Sequence, residues 1–209
     1  MSSPEEKALK LARERLDNAH LKMAQQEIDG TLDELRAAFD AVSHAQRELA
    51  RSRGEEYAIP VPIGFVPESA VSGPLLLQSE RRTFLVFNAM RNMPDGRRED
   101  AGCGIIEFKH CSITKFGYPN DEALPGHPLY ERGLLPYAIN EVIDSRWDRE
   151  MTRQNRVAFP NTPDSTARHF IVTFHDSTFE CVAGDLVATL SEEKWTATAA
   201  ALLKRAMED

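Results

Sequence analysis

The most constraining stretch of the chain is Ala167 to Asp185, ARHFIVTFHDSTFECVAGD. Successive side chains in a strand point to opposite faces. The turn of a hairpin here is placed on Asp176–Ser177, or on the four residues His175 to Thr178. Either way Phe174 lies opposite Phe179, Val172 opposite Cys181 and Phe170 opposite Ala183. That face is wholly apolar, so it is the core face. The other face carries Ile171, Thr173, His175, Thr178, Glu180 and Val182, with Thr173 facing Glu180 across the strands. A one-residue slip would exchange the two faces, so the pattern predicts a firm register.

The same stretch holds the densest cluster of reactive side chains: His175, Asp176, Ser177, Glu180 and Cys181. The face assignment divides them. Cys181 goes with the core phenylalanines and reads as core filler rather than a nucleophile served by His175. Glu180 and His175 share the other face, where a covering element would bury the carboxylate and shift its pKa. His175 beside Asp176 suggests an oriented general base, although adjacent turn residues normally point apart.

A second anomaly is Gly117 to Pro136, GYPNDEALPGHPLYERGLLP. Three glycines and four prolines in twenty residues exclude a regular element. A loop that long within a domain is usually functional or disordered. Its apolar residues Tyr118, Leu124, Leu129, Tyr130 and Leu134 argue that it is pinned across the body. It would deliver His127, Asp121, Glu122 and Tyr130 toward the hairpin. His127, His175 and Glu180 could form a two-histidine, one-carboxylate metal set, but no metal-ligand spacing supports one, so no metal site is assigned.

The rest of the chain frames these two stretches. Residues 1–53 predict a helical arm. Ser3 caps it, Pro4 takes the first helical position, and Glu5 and Glu6 follow at the positive end of the dipole. Leu9, Ala12, Leu16, Ala19 and Met23 make one stripe, and Leu32, Leu35, Phe39, Val42, Gln46 and Leu49 a second. Asp29-Gly30 interrupts between them. Thr31 with Glu34 reads as a capping box that restarts the helix. The arm is an αα-hairpin turning at Gly30, or one coiled-coil-like helix running through it. Its stripe suits packing on the body, assembly as a homo-oligomer, or docking of a protein partner.

Residues 54–209 read as a β-rich body. Tyr57 to Val66 is extended, and its prolines confine it to an edge. Pro74 to Gln78 is a short strand. Thr83 to Met90, apolar on both faces, is a central covered strand. Gly102 to Phe116 is a long strand, bent if not straight. Tyr137 to Ile143 is another strand. Ser145 caps a helix from Arg146 to about Arg156. Leu186 to Leu190 extends a further strand, and Ser191 opens a final helix over 192–207. The expected fold is α+β: an antiparallel β-sheet body of about five or six strands, flanking helices and the N-terminal arm. No βαβα alternation points to a doubly wound dinucleotide fold.

Charge narrows the function classes. The formal net charge of −8 makes nucleic acid an unlikely partner and argues against a membrane-surface binder, since both need a basic patch. One local exception is the arginine stripe Arg146, Arg149, Arg153 and Arg156 on a single helix face. Arg146, Arg149 and Arg153, with Tyr118 of the loop, are candidate contacts for a small anionic ligand. Three cysteines without a CxxC, no apolar signal segment and no run of ~20 apolar residues fit a reduced, cytoplasmic protein without a membrane span. No cofactor fingerprint is present, so the cofactor stays unassigned.

The expectation is therefore a non-catalytic binding or interaction protein, whose body takes a ligand or partner and whose arm mediates assembly. The alternative is a small metal-independent enzyme. Its acid-base groups would be His127 and His175, with Glu180 and Tyr130 in support, in a pocket under the 117–136 loop.

Overall fold

The computed structural model describes residues 2–25, 31–70, 73–93 and 97–207, with the side chains of residues 31 and 32 excepted. Two helices, α1 (Pro4–Ala24) and α2 (Thr31–Ser52), form the arm. Ser3 and Glu6 make a reciprocal capping box at the start of α1. The helices run antiparallel: Glu6 pairs with Arg53 at 2.6 Å, and Lys22 with Glu34 at 2.9 Å. Leu9, Ala12 and Leu16 meet Val42, Ala45 and Leu49 between those pairs. The ion pairs are exposed and add at most about 1 kcal/mol each, so the apolar seam carries the hairpin. Phe39, on the expected stripe, is half-exposed against the edge of His20. The turn assigned to Gly30 and the cap assigned to Thr31 lie outside the described residues and side chains.

The body has the expected α+β character, with ten antiparallel strands divided between two five-stranded sheets. The first sheet runs β1 (Tyr57–Pro60), β7 (Ile139–Ile143), β8 (Arg168–Thr173), β9 (Thr178–Ala183), β6 (Ile113–Gly117). The second runs β10 (Asp185–Ser191), β5 (Arg98–Lys109), β4 (Thr83–Asn92), after which β2 (Val66–Pro67) and β3 (Leu75–Gln78) share the far edge of β4. Val172, Phe170, Phe179 and Cys181 of the first sheet pack on Leu85, Phe87, Ile106 and Phe108 of the second. Each fully buried phenylalanine there contributes about 2 kcal/mol. The expected long strand 102–116 is broken at His110, whose φ is +51°, and the break moves the chain from one sheet to the other.

The hairpin β8–β9 keeps the expected faces but not the expected partners. Phe170 pairs with Cys181, Val172 with Phe179, and Thr173 with Thr178. Phe174 donates its N–H to the Ser177 carbonyl at 2.8 Å, so the turn holds only His175 and Asp176. That displaces the register by two residues, which restores every side chain to the same face. Glu180 consequently faces Ile171, not Thr173.

Both strands are buried on both faces, because the first sheet has a cover on its outer side. The cover is the 117–136 loop, which carries 3₁₀ turns at Leu124–Gly126 and Tyr130–Arg132. Leu124, Leu129 and Leu134 pack on Ala58, Val142 and Ile171. Thr178 donates to the Pro119 carbonyl at 2.9 Å, and Thr173 to the Leu135 carbonyl at 2.9 Å, tying both ends of the loop to the hairpin. Gly133 has φ +90°, and a Cβ there would sit 2.6 Å from the Ala58 carbonyl oxygen and 2.5 Å from Arg47 of α2. Only glycine lets the arm, the loop and β1 meet so closely.

Helix α3 (Arg146–Ala158) begins at Ser145 as expected. The last helix, α4 (Trp195–Met207), begins three residues later than expected. It covers the second sheet through Leu202, Trp195 and Ala206, while Leu203 is exposed. Among the described residues no helix is long and apolar enough to cross a membrane.

Candidate functional site

Glu180 is the centre of the first site. Strand alternation turns it away from the phenylalanine core toward the loop, and its side chain is only 9% exposed. Lys115, its cross-strand neighbour on β6, reaches it with Nζ 2.8 Å from Oε1. The loop sets His127 above it, with Nε2 3.6 Å from Oε1. His169 comes from β8, diagonal to Glu180, with Nε2 3.4 Å from Oε2. Burial pushes the Glu180 carboxyl up, but hydrogen-bonding contact with His127, His169 and Lys115 and the charge of Lys115 outweigh it, so the group sits well below the usual carboxylate range.

The His127 tautomer follows from its other ring nitrogen. The Leu129 N–H donates to Nδ1 of His127 at 3.2 Å, which places that ring's proton on Nε2, toward Glu180. Ser145 Oγ lies 2.9 Å from Nδ1 of His169 and also accepts the Asp148 N–H at 3.2 Å. The serine oxygen has a second lone pair as well as its proton, so this bond positions the His169 ring without fixing its tautomer. Ser145 is thus both the cap of α3 and the anchor of a histidine. His169 is 5% exposed, and its Nε2 has no partner of hydrogen-bond geometry: the 3.4 Å contact with Glu180 is near but misaligned.

These groups border a cavity of about 340 Å³. Glu180, His127 and His169 form its floor, Leu129 and Trp147 line its walls, and Lys115, Arg146 and Glu56 complete its lining. Trp147 meets the His169 ring edge-on, with centroids 5.2 Å apart. A His127 Nε2 proton aimed at Glu180 is a poor beginning for metal binding, which needs that lone pair. Among the described residues no group of three His, Cys, Asp or Glu is disposed to hold a metal.

The second site lies at the hairpin turn. His175 Nδ1 is 2.8 Å from Asp121 Oδ2, and Asp121 donates its own N–H to the His175 carbonyl at 2.8 Å. Tyr137 donates its hydroxyl to the same Asp121 oxygen. Tyr137 has φ +50°, a strained conformation for an aromatic residue, and its side chain is held by that bond. Burial and the Asp121 hydrogen bond push the Tyr137 phenol up to about 12. The Asp121 carboxyl is lowered, chiefly by Tyr137, against the effect of burial, with His175 adding to the lowering. Asp121 fixes Nδ1–H on His175 and leaves Nε2 as the basic nitrogen, the arrangement of an oriented base.

The sequence candidates are therefore divided. His127 and Glu180 meet in the cavity; His175 does not join them. Glu180 lies three residues beyond Ser177, where the chain leaves the two-residue turn, about 10 Å at the usual rise, and His127 and His175 attend different carboxylates. Tyr130, with its side chain 37% exposed, is outside the cavity lining. Tyr118 is 77% exposed. Of the arginine stripe only Arg146 borders the cavity. Arg149 donates to the Asp144 carbonyl at 2.7 Å, Arg153 pairs with Glu150 at 2.6 Å, and Arg156 pairs with Asp164 at 2.7 Å.

Four residues of the two candidate sites escape a sequence reading, His169, Lys115, Trp147 and Tyr137, whereas Asp121 was among those the loop was expected to deliver. His169 alone had a signal, since residues 169, 171 and 173 share the face opposite the phenylalanines. No family model, curated protein or solved structure matches the chain.

Proposed function

We propose that this chain is a non-catalytic binding protein whose body holds a small polar ligand in the Glu180 cavity. One observation carries the reading: Glu180, a buried carboxylate that receives one well-formed hydrogen bond, from Lys115, borders a cavity with acceptor positions still open. Leaving such a group short of partners costs about 1–3 kcal/mol, and a ligand with matching polar atoms recovers that cost. Acid-base catalysis by His127 and His175 together is a weaker account, because the two rings attend different carboxylates. Assembly through the arm is likewise less favoured as a function, because α1 and α2 bury their stripe against each other.

The test is ligand titration followed by the histidine ring signals in ¹H–¹⁵N spectra. The probes are uridine, inorganic phosphate, butylamine and L-leucine, one for each charge class. At least one is expected to move the His127 and His169 rings while leaving His175 in place. If none of the four moves them, the cavity is not a ligand site.

A further inference from the structure

We propose that the cavity is built for an amino carboxylic acid, a zwitterion whose ammonium meets Glu180 and whose carboxylate meets Arg146. The inference rests on the binding reading above and adds the ligand's chemistry.

Glu180 has room for a cation. A carboxylate accepts about four hydrogen bonds, yet Glu180 receives one of good geometry, from Lys115. The Lys115 side chain is 58% exposed on an edge strand, so it can swing outward when a second ammonium arrives. An ammonium can direct one or two of its N–H groups to those unused acceptor positions.

Arg146 has room for an anion. Its Nε lies 3.7 Å from Glu56 Oε1, too far for a hydrogen bond. The other Glu56 oxygen is engaged by the Arg146 backbone N–H at 2.8 Å. The planar guanidinium therefore keeps its paired donors open, and a carboxylate is the group those donors match.

The charge balance selects between ligand classes. Glu56 and Glu180 oppose Lys115 and Arg146 around the cavity. A lone anion meets Glu180 unfavourably, and a lone cation meets Lys115 and Arg146 unfavourably. A zwitterion leaves the balance intact. Pro128, Leu129 and Trp147 supply an apolar wall for its carbon skeleton, and about 340 Å³ admits a molecule of that size.

The experiment titrates the intact chain with L-leucine, β-alanine, γ-aminobutyrate and 5-aminopentanoate, which bracket the spacing between the two charges. Butylamine and butyrate are the one-charge controls. At least one zwitterion is expected to bind about tenfold or more tightly than either control, a difference of ~1.4 kcal/mol. Arg146→Ala, at an exposed position, is expected to remove the advantage over butylamine. Glu180→Gln, which keeps the shape, is expected to remove the advantage over butyrate. If butylamine or butyrate binds as tightly as the best zwitterion, the ligand class is wrong and the cavity reading stands. If uridine or phosphate moves the rings while no zwitterion does, the outcome is the same. If no probe of any class moves them, both fail together.

Discussion

One loop holds two histidine–carboxylate pairs, and they differ in almost everything but residue type. At the turn, His175 is about one-third exposed and Asp121 is held by Tyr137, by His175 and by its own backbone contact. Under the loop, His127 and His169 are almost fully buried, and the Glu180 they flank has one well-formed hydrogen bond. In the first pair the Asp121 carboxylate has its bonds completed by the protein, and it fixes where the loop begins. The second is incomplete in itself and opens on a cavity. A histidine beside a carboxylate therefore means little until its remaining donors and acceptors are counted.

The largest difference is expected in stability. Glu180→Ala removes the carboxylate that Lys115, His127 and His169 approach and leaves the His127 N–H in a low-dielectric site. The expected loss is about 3 kcal/mol, toward the low end for a broken buried pair because Lys115 can regain water. Asp121→Ala is expected to cost less, since its partners reach solvent. Urea denaturation of both variants measures this, and an equal or larger loss for Asp121→Ala would reverse the comparison. The pH dependence has a definite sign. Glu180 has a lowered folded pKa, so its contribution is present above the unfolded carboxylate value of about 4.3 and is lost as pH falls toward the folded value. Glu180→Gln should flatten that acid limb.

The sequence carried much of the fold because its strongest signals are periodic. The alternation in β8 and β9 assigned every residue to its correct face, although the turn was placed one residue too late. Faces survive a two-residue displacement, whereas individual partners do not, and so the Thr173–Glu180 pairing was lost. The arm was legible from its stripes and the loop from its prolines and glycines. The division into two sheets was not, because nothing in the run 102–116 marks His110 as the point of crossing. The site was half legible for a related reason. His127, His175 and Glu180 were visible as chemistry, but their grouping depends on where a non-periodic loop lies. Asp121 pairs with His175 across 54 residues of sequence, a separation that no local pattern encodes.

A smaller effect is expected at the turn. Tyr137→Phe removes the hydroxyl bonded to Asp121 and should cost about 1 kcal/mol. Spectrophotometric titration gives a sharper reading, since one of four tyrosines is expected to ionise late, at about 12. A raised folded pKa means that the stabilisation is complete below the unfolded tyrosine value of about 10. It is then lost as pH rises through about 12. The late component should vanish in Tyr137→Phe. If it persists, Tyr137 is not the group that holds Asp121, and the turn loses its claim to be the site completed by the protein.

The smallest effect on stability, and the most direct contrast between the pairs, is expected from chemical modification. Diethyl pyrocarbonate acylates a neutral imidazole at a nitrogen that carries a lone pair. His175 presents one: Asp121 takes its Nδ1–H, and Nε2 is left basic on a side chain 34% exposed. His127 carries its proton on the nitrogen that faces Glu180, and the His127 and His169 side chains are only 8% and 5% exposed. Peptide mapping at neutral pH should find His175 acylated well before either of the others, with little change in the denaturation midpoint. Acylation of His127 at a comparable rate would mean that the loop lifts from the sheet often enough to expose the cavity floor. The loop's hydrogen bonds from Thr178 and Thr173 would then be too weak to keep it closed, and the two sites would differ in their resting geometry but not in their accessibility.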